Sequence, residues 1–151
     1  MKTKNLVLKI VSAVLCACSI IPLFLNFIAL KNGSTNIPYT FGKTAGSGDV
    51  LLVVARILFI ITVVVAMILL VGIILQFFFK NDILNWIVVG ASVMIMIVST
   101  LCFVGTLLYC LSISKIGEYV WFPSIGCYVL LAIGIIAPII YMMSTKQEEK
   151  K

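Results

Sequence analysis

The chain has 151 residues, of which 63% are hydrophobic and 11% are charged, and its formal net charge is +6. This apolar share excludes an ordinary soluble domain, which is usually about half apolar, and predicts a single membrane domain over residues 1–151. The basic residues gather at the ends of the apolar runs, so we expect them to face a bilayer with anionic lipids and expect no nucleic-acid partner.

The first apolar run predicts a membrane-spanning helix over residues 6–30. Lys9 lies near its start, where its stem can snorkel to the headgroups, and Pro22 can kink the helix at modest cost. A cleaved signal peptide is the alternative, because the residues up to Cys18 resemble a lipobox that ends on a lipidated cysteine. The chain stays apolar after Cys18, which favours a retained helix.

The segment of residues 31–49 is the predicted outer loop, rich in Gly, Ser, Thr and Asn. Within it, residues 37–41 could extend, but Pro38 weakens the prediction of a paired strand because proline donates no ladder hydrogen bond. The loop also contains Gly42-Lys43-Thr44, which lacks the earlier glycine of a phosphate-binding loop, so we reject a nucleotide site.

Three more membrane-spanning helices are predicted, over residues 50–79, 83–111 and 120–143. The first of them carries Arg56, which a helix this long places at the interface. Its short connection to the next helix forces an antiparallel hairpin. The predicted fold class is therefore an all-α membrane protein, a four-transmembrane-helix antiparallel bundle.

An even number of spans places both termini on one side of the membrane. Seven basic residues belong to that side, namely Lys2, Lys4, Lys9, Lys80, Lys146, Lys150 and Lys151, and four to the other, namely Lys31, Lys43, Arg56 and Lys115. The positive-inside rule therefore predicts that both termini are cytoplasmic. The expected location is a cell membrane, taken as bacterial, with a multi-pass topology.

Ionisable residues inside spans usually mark transport or catalysis, because a charge in lipid costs several kcal/mol. Only Lys9 and Arg56 lie inside predicted spans, and the chain has no His. We therefore expect no enzyme, catalytic residue, metal or cofactor. Asp49 lies about 10 Å from Arg56 on the same helix face, and the two are candidates for an interface or anion contact, although a snorkelling Arg56 is the plainer interpretation.

The cysteines and hydroxyl residues of the spans are predicted to be packing residues. The cysteines lack the local spacing of a zinc site. Cys110 and Cys127 lie near the same end of their helices, so a disulfide is geometrically conceivable, but packing is favoured. Four hydroxyl residues are candidate helix-packing positions, worth about 0.6 kcal/mol each: Ser19, Thr62, Ser99 and Thr100.

Four helices with a larger first outer loop resemble the claudin-like class in topology. That class carries Trp and a Cys pair in its first outer loop, and residues 31–49 contain neither, so the resemblance ends at topology.

Three functions remain open. The first is a non-enzymatic accessory or structural subunit that packs against a membrane-protein partner or against itself as a homo-oligomer. The second is a small oligomeric transporter or channel for a neutral or apolar solute, lined by hydroxyl groups. The third is a membrane immunity or stress protein. The shortage of charged groups inside the spans favours the first.

Overall fold

The computed structural model describes residues 3–32, 35–40, 50–79, 82–114 and 120–149. In chain order the elements are helix α1 (Thr3–Ala17), a 3₁₀ helix (Cys18–Phe24), strands β1 (Asn26–Asn32) and β2 (Thr35–Thr40), helices α2 (Val50–Phe78) and α3 (Asp82–Ser114), strand β3 (Val120–Pro123) and helix α4 (Ile125–Glu149). The structure is mostly helical, with four helical spans long and apolar enough to cross a membrane. This confirms the four predicted spans as helices of membrane-spanning length.

The helices pack in a ring in which each contacts the helices before and after it. Helices α2 and α3 are antiparallel: Ala55, early in α2, accepts a hydrogen bond from Cys102, late in α3, whereas Gly72 lies against Val88 at the other end of the pair. Both helices begin and end within three residues of the predicted bounds. The predicted packing of the helices into a bundle is confirmed.

Helix α4 closes the ring onto α1 and runs antiparallel to it. Near the end of the bundle where α1 begins and α4 ends, which we call the terminal end, the Ser12 hydroxyl donates to the Ala137 carbonyl at 2.8 Å. At the opposite end, Gly126 lies against the carbonyl of Pro22. We call that opposite end the sheet end, because a three-stranded sheet lies there.

Hydropathy does not show which face of α2 is buried, because this helix is apolar all round. The spacing of its buried residues does. Its buried positions recur every three or four residues, the period of one helical face. Several of them are small, including Ala55, Thr62 and Ala66, which lets neighbouring helices approach. Larger residues such as Ile57 and Ile68 point outward.

The first predicted helix is wrong beyond Phe24. Leu25 is already extended, and Asn26–Asn32 form β1, the central strand of the sheet, with order β2-β1-β3. Asn26 alone interrupts the apolar run at this point, and the run continues after it because Phe27 and Ile28 are buried in the core, so hydropathy could not separate the strand from the helix. Pairing with strands from two different loops stabilises the extended form.

Pro38 lies in a paired strand, although proline was expected to disfavour one here. Strand β2 pairs antiparallel with β1, and Pro38 is opposite Ala29. The sheet order makes β2 an edge strand, which is where proline is tolerated.

The predicted start of the fourth helix is also wrong. Val120–Pro123 pair with β1 as strand β3, and α4 begins only at Ile125. Pro123 ends the strand, and the Ser124 carbonyl accepts the first bond of the helix from the Cys127 amide at 3.0 Å. Helix α4 then continues past the predicted residue 143 to Glu149.

Candidate functional site

Two polar levels mark the ends of the apolar part of the bundle. Arg56 is half-buried on the second turn of α2, and Gln76 is half-buried near the end of the same helix. At 1.5 Å per residue they are about 30 Å apart along the axis, which matches the thickness of a hydrocarbon core. The sheet and the terminal end therefore lie at opposite ends of an apolar zone about as long as a hydrocarbon core is thick.

Of the candidate contact between Arg56 and Asp49, the structure describes only Arg56. Arg56 lies close to the sheet end, on the turn that follows Leu52. Asp49 lies outside the described residues, so the predicted pairing of these two residues stays a prediction.

The predicted packing hydroxyls mostly bond to their own helices. Thr62 donates to the Leu58 carbonyl at 2.8 Å, and Ser99 and Thr100 both donate to the Met96 carbonyl, at 3.2 and 2.8 Å. Thr62 and Ser99 are buried, whereas Thr100 is exposed on α3. Three of the four candidates therefore have their hydroxyl groups bonded within one helix.

Ser19, the fourth candidate, lies in the 3₁₀ helix and is fully buried. Its hydroxyl oxygen has no hydrogen-bond partner among the described residues. The structure does not bring it together with the other three, which lie on α2 and α3.

All five cysteines are free, so Cys110 and Cys127 form no disulfide. Both belong to the core at the sheet end, and the Cys127 thiol contacts the Phe27 carbonyl at 3.2 Å. Among the described residues no group of three Cys, Asp, Glu or His side chains is placed to hold a metal ion.

A hydrogen-bonded group that the sequence analysis missed lies at the terminal end. The Gln76 amide donates to the Tyr141 hydroxyl at 2.7 Å, and the Tyr141 hydroxyl donates to the Asn85 side-chain oxygen at 3.3 Å. Gln76 Nε2 also approaches that Asn85 oxygen at 3.4 Å. These three side chains link α2, α3 and α4.

Helix α1 contributes two more polar side chains to the terminal end, Asn5 and Lys9. Both are buried, and with Ser12 they form one stripe at helical spacing. Ser12 bonds to Ala137, and α1 and α4 are antiparallel, so Lys9, one turn before Ser12, lies at the level of Tyr141, one turn after Ala137. We call Asn5, Lys9, Gln76, Asn85 and Tyr141 the terminal polar cluster.

Lys9 does not snorkel to the surface, which corrects the prediction made from its sequence position. Its side chain is only 7% exposed. The prediction failed because distance from the chain end says nothing about which face of α1 meets the other helices. The spacing of Asn5, Lys9 and Ser12 was the available signal, since three polar residues on one stripe of an apolar helix indicate a polar interior.

No protein-family model, curated protein sequence or solved structure matches the chain. The class of protein is therefore defined by the fold alone. Four apolar spans of membrane-crossing length, packed in a ring, indicate a multi-pass integral membrane protein.

Proposed function

We propose that the chain is a non-enzymatic subunit of a bacterial cell membrane, with both termini in the cytoplasm. In this role it packs the outer face of its α2–α3 hairpin against a transmembrane helix of a second protein molecule, either a different membrane protein or another copy of the chain.

The observation that carries this proposal is a concave surface on the outer face of the hairpin. It has a volume of about 520 Å³ and is lined only by apolar residues: Val63, Val64, Met67, Ile68, Val71, Gly72, Leu75, Leu84 and Ile87. Between lipid-facing helices, affinity comes from close packing, because lipid tails are as apolar as the side chains. A concave apolar surface offers a partner helix more packing contacts than a convex one.

Gly72 lines this groove and also lies at the contact between α2 and α3. A methyl group on Gly72 would lie 2.5 Å from Cγ2 of Val88, so α2 and α3 approach this closely only because residue 72 has no side chain. Small residues at helix crossings are typical of packed membrane bundles. The groove is therefore built into the hairpin.

The interior of the bundle supports this function over a hydroxyl-lined transport path. The buried hydroxyls of Thr62, Ser92 and Thr106 each donate to a carbonyl one turn earlier in their own helix, at 2.8 Å. Ser99 packs directly against Gly134. Groups that are bonded and packed in this way stabilise the bundle and are poorly placed to coordinate a passing solute.

Photo-crosslinking in native membranes tests the proposed packing. Ile68 in the groove and Ile136 on α4 are a matched pair, 49% and 48% exposed. A photoreactive residue at position 68 is expected to give a discrete protein adduct, and one at position 136 only lipid adducts. Equal adducts at both positions would contradict the proposal. So would a monomer that carries no protein partner after purification in mild detergent with native lipid.

A further inference from the structure

We propose that the tip of the α2–α3 hairpin is anchored in the interfacial layer of a lipid bilayer, where the ester carbonyls meet the hydrocarbon core. Four exposed side chains, which we call the tip residues, form the anchor: Phe78, Phe79, Ile83 and Trp86. The partner of this surface is lipid, so the inference holds whether or not the groove docks a helix.

The tip residues are among the most exposed large apolar side chains that the structure describes. Phe78 is 76% exposed, Phe79 62%, Ile83 69% and Trp86 75%. They lie close together in the chain, because only residues 79–81 separate the end of α2 from the start of α3. Exposed apolar surface of this kind is unfavourable in water and marks a site that contacts a membrane or a protein.

The directions of the phenylalanine rings favour a surrounding layer over a protein partner. Phe77, Phe78 and Phe79 are all exposed, and the helical turn continues through Phe79, whose amide donates to the Leu75 carbonyl at 2.8 Å. At 3.6 residues per turn, the three rings spread over about 200° of the helix circumference. A helix packed against α2 covers one stripe of that arc, whereas lipid contacts all of it.

The level of the tip matches the edge of a hydrocarbon core. Gln76 lies about 30 Å from Arg56 along α2, and the two tip residues of α2 follow it within one turn. On α3, Trp86 follows Asn85, whose side-chain oxygen Gln76 approaches at 3.4 Å. Tryptophan and other aromatic residues are enriched at this boundary, where an indole N–H can donate to a lipid oxygen while its ring stays in an apolar layer.

The inside of the same end is polar, which is the reverse of a soluble protein. The Gln76 amide donates to the Tyr141 hydroxyl, which in turn donates to the Asn85 side-chain oxygen. Tyr141 is fully buried, whereas the aromatic rings of the tip face outward. Polar groups that bond to one another inside, with apolar rings outside, are stable in lipid and not in water.

Anchoring the tip would fix the depth of the groove. Leu75 and Leu84 line the groove, and Leu84 lies between the tip residues Ile83 and Trp86. A helix that docks in the groove must therefore present its apolar face directly below the interfacial layer.

Depth-dependent quenching of Trp86 fluorescence tests the proposal. The chain has two tryptophans, so Trp121→Phe leaves Trp86 as the only indole. The full chain is reconstituted in phosphatidylcholine vesicles whose acyl chains carry bromine near either the carbonyl end or the methyl end. We expect bromine near the carbonyl end to quench Trp86 at least about two-fold more strongly.

Met94→Trp, in a chain that also carries Trp86→Phe and Trp121→Phe, is the matched control. Met94 is 51% exposed and lies about 12 Å further along α3 at 1.5 Å per residue. Because this position is deeper in the bilayer, we expect bromine near the methyl end to quench it more strongly.

A second pair of variants tests whether the rings hold the tip in place. Phe78→Ala with Phe79→Ala is expected to lower the quenching of Trp86 by bromine near the carbonyl end by about half, because the tip then leaves that layer. Val53→Ala with Val54→Ala removes exposed apolar surface from the other end of α2 and is expected to leave it unchanged. Equal effects of the two pairs would contradict anchoring by the rings.

Three results with Trp86 would overturn the proposal. Stronger quenching by bromine near the methyl end would place the tip inside the hydrocarbon core. Quenching by aqueous iodide and by neither brominated lipid would place it in water. Quenching by none of these agents, while the tryptophan at position 94 is quenched by lipid, would show that protein covers the tip.

Discussion

Replacing Phe27 by alanine is expected to lower the free energy of unfolding by about 3–5 kcal/mol. Phe27 is fully buried at the start of β1, and its ring meets that of Phe59 on α2 edge to face, with centroids 5.3 Å apart. The ring thus joins the sheet to the bundle, and its loss leaves a cavity that β1 cannot fill while it is held between two strands. Reversible unfolding in mixed micelles measures the change.

Phe24→Ala is the matched control. Phe24 lies three residues earlier and is 79% exposed, so its loss is expected to change stability by less than about 0.5 kcal/mol. Equal effects of the two substitutions would show that the sheet does not rest on the bundle through Phe27.

Gly134→Ala is expected to destabilise the protein by about 1–3 kcal/mol, the cost of overpacking a core. A Cβ atom at position 134 would lie 2.5 Å from the Cβ of Ser99 and 3.5 Å from the Ile95 carbonyl. A Cβ is fixed to the backbone and cannot rotate away, so α3 and α4 must separate. The same unfolding measurement reports the change.

Gly90→Ala provides the comparison, because a Cβ at position 90 meets nothing within 4 Å. Alanine has the higher helix propensity, so this variant is expected to be neutral or slightly more stable. Adding Ser99→Gly to Gly134→Ala removes the clash and is expected to recover part of the loss. A double variant no more stable than Gly134→Ala would place the cost elsewhere.

The helices of the hairpin could be predicted closely, and the sheet could not. Helices α2 and α3 are long apolar runs with polar residues at both ends, so local composition determines their bounds. Strand β1 depends on Pro38 and Phe122 being brought beside Ala29 from two separate loops. Such pairing is non-local, and a strand buried in the core has the same hydropathy as a helix.

The candidate site was hidden for a related reason. Each member of the terminal polar cluster lies near an end of a predicted span, where a polar residue is ordinarily interfacial. Only the packing of four helices shows that Lys9 and Tyr141 share one level in the interior. Conversely, Thr62 and Ser99 were correctly placed inside spans, but the sequence did not indicate that their hydroxyls bond within their own helices.

We propose a four-span membrane protein whose termini share the cytoplasmic side. Reporter fusions test it most directly, with a fluorescent protein and alkaline phosphatase fused in turn to Lys151 and inserted at Gly46, which lies outside the described residues. We predict fluorescence and no phosphatase activity at Lys151, and phosphatase activity without fluorescence at Gly46. Phosphatase activity at Lys151 would contradict the account, because it would require an odd number of spans or the reverse orientation.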